Sequence, residues 1–91
     1  MRLLVHPDAR RVLENLRNDP EMEALLRKVL MAINLIRLRP GAREARREAW
    51  ATERWGQVWA IPVQSGDDDW VVVWVPAGPD EAIVLYVGPG V

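Results

Sequence analysis

Residues 56–88 read GQVWAIPVQSGDDDWVVVWVPAGPDEAIVLYVG. Three runs rich in Val, Ile and Trp, at 58–63, 70–75 and 82–87, alternate with two stretches of turn formers, at 65–69 and 76–80. Gly permits positive φ, Pro presets φ, and Asp bonds to its own nearby backbone, so such stretches reverse a chain. The pattern predicts a three-stranded antiparallel meander.

Working backwards, the period changes. Leu3, Leu4 and Val5 read as a short first strand. Pro7 and Asp8 suit the first turn of a helix. Ala9, Val12, Leu13 and Leu16 then form one apolar stripe. Asp19 is a good N-cap for a second helix over 20–38, with Pro20 at its first position. Met22, Leu25, Leu26, Val29, Ile33 and Ile36 make the stripe of that helix. Leu30, Met31, Leu35 and Leu38 fall outside it, so this helix is apolar over more of its circumference than packing on one sheet requires. Pro40-Gly41 ends it. Residues 42–53, rich in Ala, Arg and Glu, are expected to form a third short helix, although Arg43–Arg47 and Glu44–Glu48 are like-charge pairs at i, i+4. The expected fold is α+β: a short N-terminal strand, an antiparallel helical hairpin with a third short helix, and the meander packed on the helices. Residues 1–91 make one domain.

Composition narrows the chemistry. A chain of this size buries roughly 60–65% of its unfolded surface, so self-association or a partner would help it. There is no cysteine, which excludes disulfides and thiolate metal sites and suits a reducing cytoplasm. No signal peptide is expected, and the apolar run at 29–36 is far short of the ~20 residues that span a bilayer. All 12 basic residues lie at or before Arg54, and the first 54 residues hold eight acids. The rest of the chain carries only acids: Asp67, Asp68, Asp69, Asp80 and Glu81. The net charge of −1 argues against a general nucleic-acid binder.

The order of strand, helical hairpin and meander resembles the RelE/ParE superfamily of bacterial toxins. Local strings carry the same resemblance: HPDARR at 6–11, GQVWAIPV at 56–63, DWVVVW at 69–74 and VLYVG at 84–88. It implies a cytoplasmic toxin of a type II toxin–antitoxin system, held by a cognate antitoxin protein. RelE-like members cut mRNA on the ribosome and inhibit translation; ParE-like members poison DNA gyrase. The nuclease uses basic side chains for acid–base help and for stabilising phosphate charge. Carried onto this chain, those basic positions fall on Ala60, Pro62, Val71 and near Gly90, and a C-terminal tyrosine used by some members would fall beyond Val91. None of these positions is basic. Arg46, Arg47 and Arg54 are the candidate substitutes from the preceding segment.

Strand alternation under that alignment assigns the two faces. Trp59, Ile61, Val63, Trp70, Val72, Trp74, Ile83, Leu85 and Val87 would meet the helices. Val58, Ala60, Pro62, Val71, Val73, Val75, Val84 and Tyr86 would form the opposite face. So continuous an apolar face needs a cover. An antitoxin segment, a second copy of the chain, or residues 42–53 folded across would each supply one. The expected partner-binding set is Leu30, Leu35, Val58, Ala60, Val71, Val73, Val75, Val84 and Tyr86.

Other motifs are weaker. His6 is the only histidine and has no second ligand with which to hold zinc. Asp67-Asp68-Asp69 is too compact for a calcium loop and reads as a solvated turn. Trp50, Trp55 and Trp59 have only Arg54 among them, which suits core or partner anchoring better than base stacking. No cofactor and no metal is expected. The leading expectation is a toxin-like protein that lacks the nuclease residues and acts by protein–protein binding. The alternatives are a ribosome-dependent mRNA endoribonuclease using Arg46, Arg47 and Arg54, and a self-associating, non-toxic homodimer.

Overall fold

The computed structural model describes residues 1–90. Strand β1 (Arg2–Val5) leads into helix α1 (Pro7–Arg17). His6 caps α1, its Nδ1 accepting from the Asp8 amide at 3.2 Å, while Pro7 fills the first turn, where no donor is needed. Asp19 closes the next turn by accepting from the Glu21 amide at 3.1 Å. The second helix begins as a 3₁₀ turn at Pro20–Met22, and the α-helix proper, α2, spans Glu23–Leu38. Its buried residues Leu25, Val29, Ala32 and Ile36 recur at alternating steps of four and three, which holds one stripe against the sheet.

Residues 42–53 depart from expectation. They form a 3₁₀ turn at Arg43–Arg46 and then strand β2 (Glu48–Thr52), not a helix. The like-charge i, i+4 pairs oppose a helix here. A five-residue alternation, Glu48-Ala49-Trp50-Ala51-Thr52, fits beside strand β3 (Gly56–Ser65) instead. Strands β4 (Asp68–Gly78) and β5 (Glu81–Pro89) complete a meander of four strands, where three were expected. The sheet has the order β1-β5-β4-β3-β2, with β1 parallel to β5 and all other pairs antiparallel.

The main core lies between helices and sheet. Ile61, Val63, Val72, Trp74, Ala82, Val84 and Val87 meet Ala9, Leu16, Leu25, Val29 and Ile36 there. Trp74 is its largest fully buried side chain. Its Nε1 donates to the Ala45 carbonyl at 2.6 Å, tying the 3₁₀ turn to the sheet.

One register shift changes the face assignment. Val73 pairs with Tyr86 and Trp74 with Val84, which leaves Leu85 as an extra residue in β5. A bulge of this kind interrupts the alternation of side chains. Val84 is therefore fully buried in the helix-side core, contrary to its expected place on the opposite face. Leu85 makes the reverse exchange and packs on the outer face beside Tyr86.

Candidate functional site

The sheet face turned away from the helices forms a second apolar cluster. Val58 and Ala60 are 0% exposed, Val71 3% and Val73 5%. These short side chains are closed in by taller neighbours, Trp50, Val75 and Leu85. The face thus needs no second molecule at its centre, because β2 brings Trp50 into place opposite Val58. Residues 42–53 do supply a cover, by extending the sheet rather than folding across it.

What stays open is a groove of ≈ 270 Å³ along that cluster, lined by Trp50, Thr52, Trp55, Val73, Leu85, Tyr86 and Pro89. None of these is an acidic or basic residue. The Thr52 Oγ1 donates to the Gly56 carbonyl at 2.9 Å and accepts from the Trp55 amide at 3.0 Å, which fixes the hairpin tip that carries Trp55. Gly56 has φ +69°, a conformation that L side chains rarely adopt. Across the groove the Tyr86 hydroxyl donates to the Pro89 carbonyl at 3.0 Å, and the ring lies over Gly88.

That last contact gives a test of the groove. A Cβ at Gly88 would stand 2.5 Å from the Tyr86 hydroxyl oxygen and 2.8 Å from the ring carbon that bears it. The ring is half exposed and free to swing outward. Gly88→Ala should therefore release Tyr86 from Pro89 and widen the groove, at a cost of about 1 kcal/mol for one hydrogen bond. Urea midpoints and tyrosine ring signals in NMR spectra check this; an unchanged Tyr86 environment would contradict it.

The three arginines proposed as catalytic are not brought together. Arg46 lies on the helix side of the sheet. Its guanidinium sits 5.1 Å from the Trp59 ring centroid and 5.9 Å from that of Trp74, and its Nε donates to the Pro40 carbonyl at 2.9 Å. Arg47 is exposed just before β2. Arg54 sits at the hairpin tip with its guanidinium 5.3 Å from the Trp55 centroid. Cation–aromatic stacking of this kind stabilises without any catalytic role.

Of the expected contact residues, Val58, Ala60, Val71 and Val73 form the buried floor, Val75 is half-buried at its margin, and Tyr86 stands on the groove wall. Leu30 is exposed on α2 beside Met31, while Leu35 is half-buried against the main core. Leu30, Met31, Ile33 and Asn34 line a shallow depression between Arg27 and Arg37. Trp50 and Trp55, read from sequence as core or partner anchors, both line the groove, whereas Thr52, Leu85 and Pro89 were missed. The alternation at 48–52 was the available signal for Thr52.

Among the described residues no group of three or more His, Cys, Asp or Glu side chains is placed to hold a metal ion. No described helix is long and apolar enough to cross a membrane. Compared with family models, with curated proteins and with solved structures, the chain finds no match.

Proposed function

We propose that this chain is a toxin-like component of a type II toxin–antitoxin system that works by binding another protein rather than by cutting RNA. The observation that carries this reading is the outer face of the sheet. Where a RelE-like nuclease would need cations, Ala60 and Val71 are buried in an apolar floor and Pro62 is exposed without a charge. Beside them runs a groove walled by Trp50, Trp55, Leu85 and Tyr86. Half-exposed aromatic side chains around an apolar floor are the composition of a protein-contact centre. Leu30, Met31 and Leu38 add a separate exposed apolar surface on α2.

The element order supports the family part of the reading, since a strand, a helical hairpin and an antiparallel meander follow one another. The dispersal of Arg46, Arg47 and Arg54 weighs against the nuclease alternative. Controlled expression in a bacterial host tests the proposal. Growth should arrest while ribosome-bound mRNA stays intact, and co-expression of a cognate antitoxin should relieve the arrest. Leu85→Asp, on the groove wall, should weaken that relief at least tenfold in antitoxin dose. Cleaved mRNA, or growth indifferent to the protein, would contradict the reading.

A further inference from the structure

Strand β2 is an edge of the sheet. It pairs with β3 on one side, and among the described residues its backbone makes no hydrogen bond on the other. Proteins protect such edges with short strands, charged side chains, proline or a bulge. β2 is short, but it has no proline, its one charge is Glu48 at its first position, and its register with β3 runs unbroken from Glu48↔Ala60 to Thr52↔Gly56. Ala49 and Ala51 are exposed and too small to hinder an approaching strand.

The charges flanking this edge are arranged for self-pairing. Arg47 precedes the strand and Glu53 follows it, about 20 Å apart at ~3.3 Å per residue. Both are exposed, and neither makes an ion pair among the described residues. We propose that β2 pairs antiparallel with β2 of a second copy of this chain, about a two-fold axis through Trp50, joining the two sheets into one. This goes beyond the toxin-like reading and does not depend on it.

The register follows from the pleat. Opposite residues of an antiparallel pair point to the same face. A two-fold axis between Trp50 and Ala51 would set an outer-face residue against a helix-side one, so that register is excluded. It would also have matched Glu48 with Glu53 and Arg47 with Arg54. An axis on Trp50, the midpoint of Glu48–Thr52, gives the full overlap of the strand. Trp50 then faces its own copy, Ala49 faces Ala51, Glu48 faces Thr52, and Arg47 faces Glu53 twice. The next pair outward would set Arg46 against Arg54. Arg46 is withdrawn from that meeting by its bond to Pro40 and its stacking on Trp59.

Sedimentation equilibrium of the purified chain should show a monomer–dimer equilibrium in the micromolar-to-millimolar range. Arg47→Glu should weaken it at least tenfold, and adding Glu53→Arg should restore it. Both positions are exposed, so circular dichroism should show the fold intact in each. The absence of native cysteine allows a second readout. Under mild oxidation a mixture of Glu48→Cys and Thr52→Cys chains should cross-link, and Thr52→Cys alone should not. A chain that stays monomeric throughout the range would overturn the proposal. So would a dimer indifferent to the charge reversals, or one in which Thr52→Cys alone cross-links as readily as the mixture.

Discussion

Trp74→Ala should remove most of the stability of this protein. Trp74 is fully buried between the helices and the sheet. Truncating a buried tryptophan to alanine costs about 3–5 kcal/mol, because the surrounding core closes only partly over the space. Here the side chain also supplies the one donor that reaches the Ala45 carbonyl from the sheet, at 2.6 Å. Loss of the ring also removes a surface on which Arg46 rests. A small domain has roughly 5–15 kcal/mol in hand, with the smallest domains toward the low end. The melting temperature should therefore fall by at least about 12 °C, given a shift of about 4–8 °C per kcal/mol for a domain of this size. Trp74→Phe separates the two contributions. It keeps much of the ring and loses the donor, so it should cost only about 1–3 kcal/mol. Calorimetry of the two variants beside the parent decides the matter. An alanine variant melting within a few degrees of the parent would show that Trp74 does not hold the 3₁₀ turn to the sheet.

Val58→Asp should have a comparable effect from the other side of the sheet. Val58 is 0% exposed although it faces away from the helices. A carboxylate placed there would meet Ala60, Val71, Val73 and Trp50 and find no cation, since none belongs to that cluster. An uncompensated buried charge costs about 3–5 kcal/mol. If the outer face were ordinary surface in the free chain, the same change would stay within about 0.5 kcal/mol. The urea midpoint therefore reads directly whether this face is interior in the monomer. Tyr86→Asp, on the exposed wall of the same groove, serves as the contrast and should cost only about 1 kcal/mol, the hydrogen bond to the Pro89 carbonyl.

These two residues also mark what was legible in the sequence. The alternation through 58–63 and 70–75 separated Trp74 from Val58, and the RelE/ParE resemblance turned Trp74 toward the helices and Val58 away from them, as found. The apolar steps of the second helix held as well, with Leu25, Val29 and Ile36 all buried. Strand β2 was hidden because Ala, Arg and Glu favour helices locally. The free edge of β3 offers residues 48–52 a ladder that no local propensity reports. The bulge at Leu85 was hidden for a different reason. Nothing in Ile83-Val84-Leu85-Tyr86 marks which residue will be the extra one, and that single shift moves Val84 inward and Leu85 outward. The groove followed from both misses, since Trp50, Thr52 and Leu85 supply much of its wall.

The absence of bases after Arg54 has a structural counterpart. The strands that follow bury Val58, Ala60, Val71 and Val73 on the outer face, where a cation would be as costly as the carboxylate of Val58→Asp. Arg46 rests under the sheet on Trp59, and Arg54 stacks on Trp55 at the rim of the groove rather than over the buried floor. This is the ground for proposing that the surface works by contact rather than by phosphate chemistry.

The most direct measurement adds the purified chain to translating ribosomes in a reconstituted system and maps mRNA ends by primer extension. The expected result is intact message at all concentrations, for the parent and for Arg46→Ala, Arg47→Ala and Arg54→Ala alike. Cleavage of ribosome-bound mRNA by the parent, abolished by Arg54→Ala, would contradict a contact surface in place of a catalytic one.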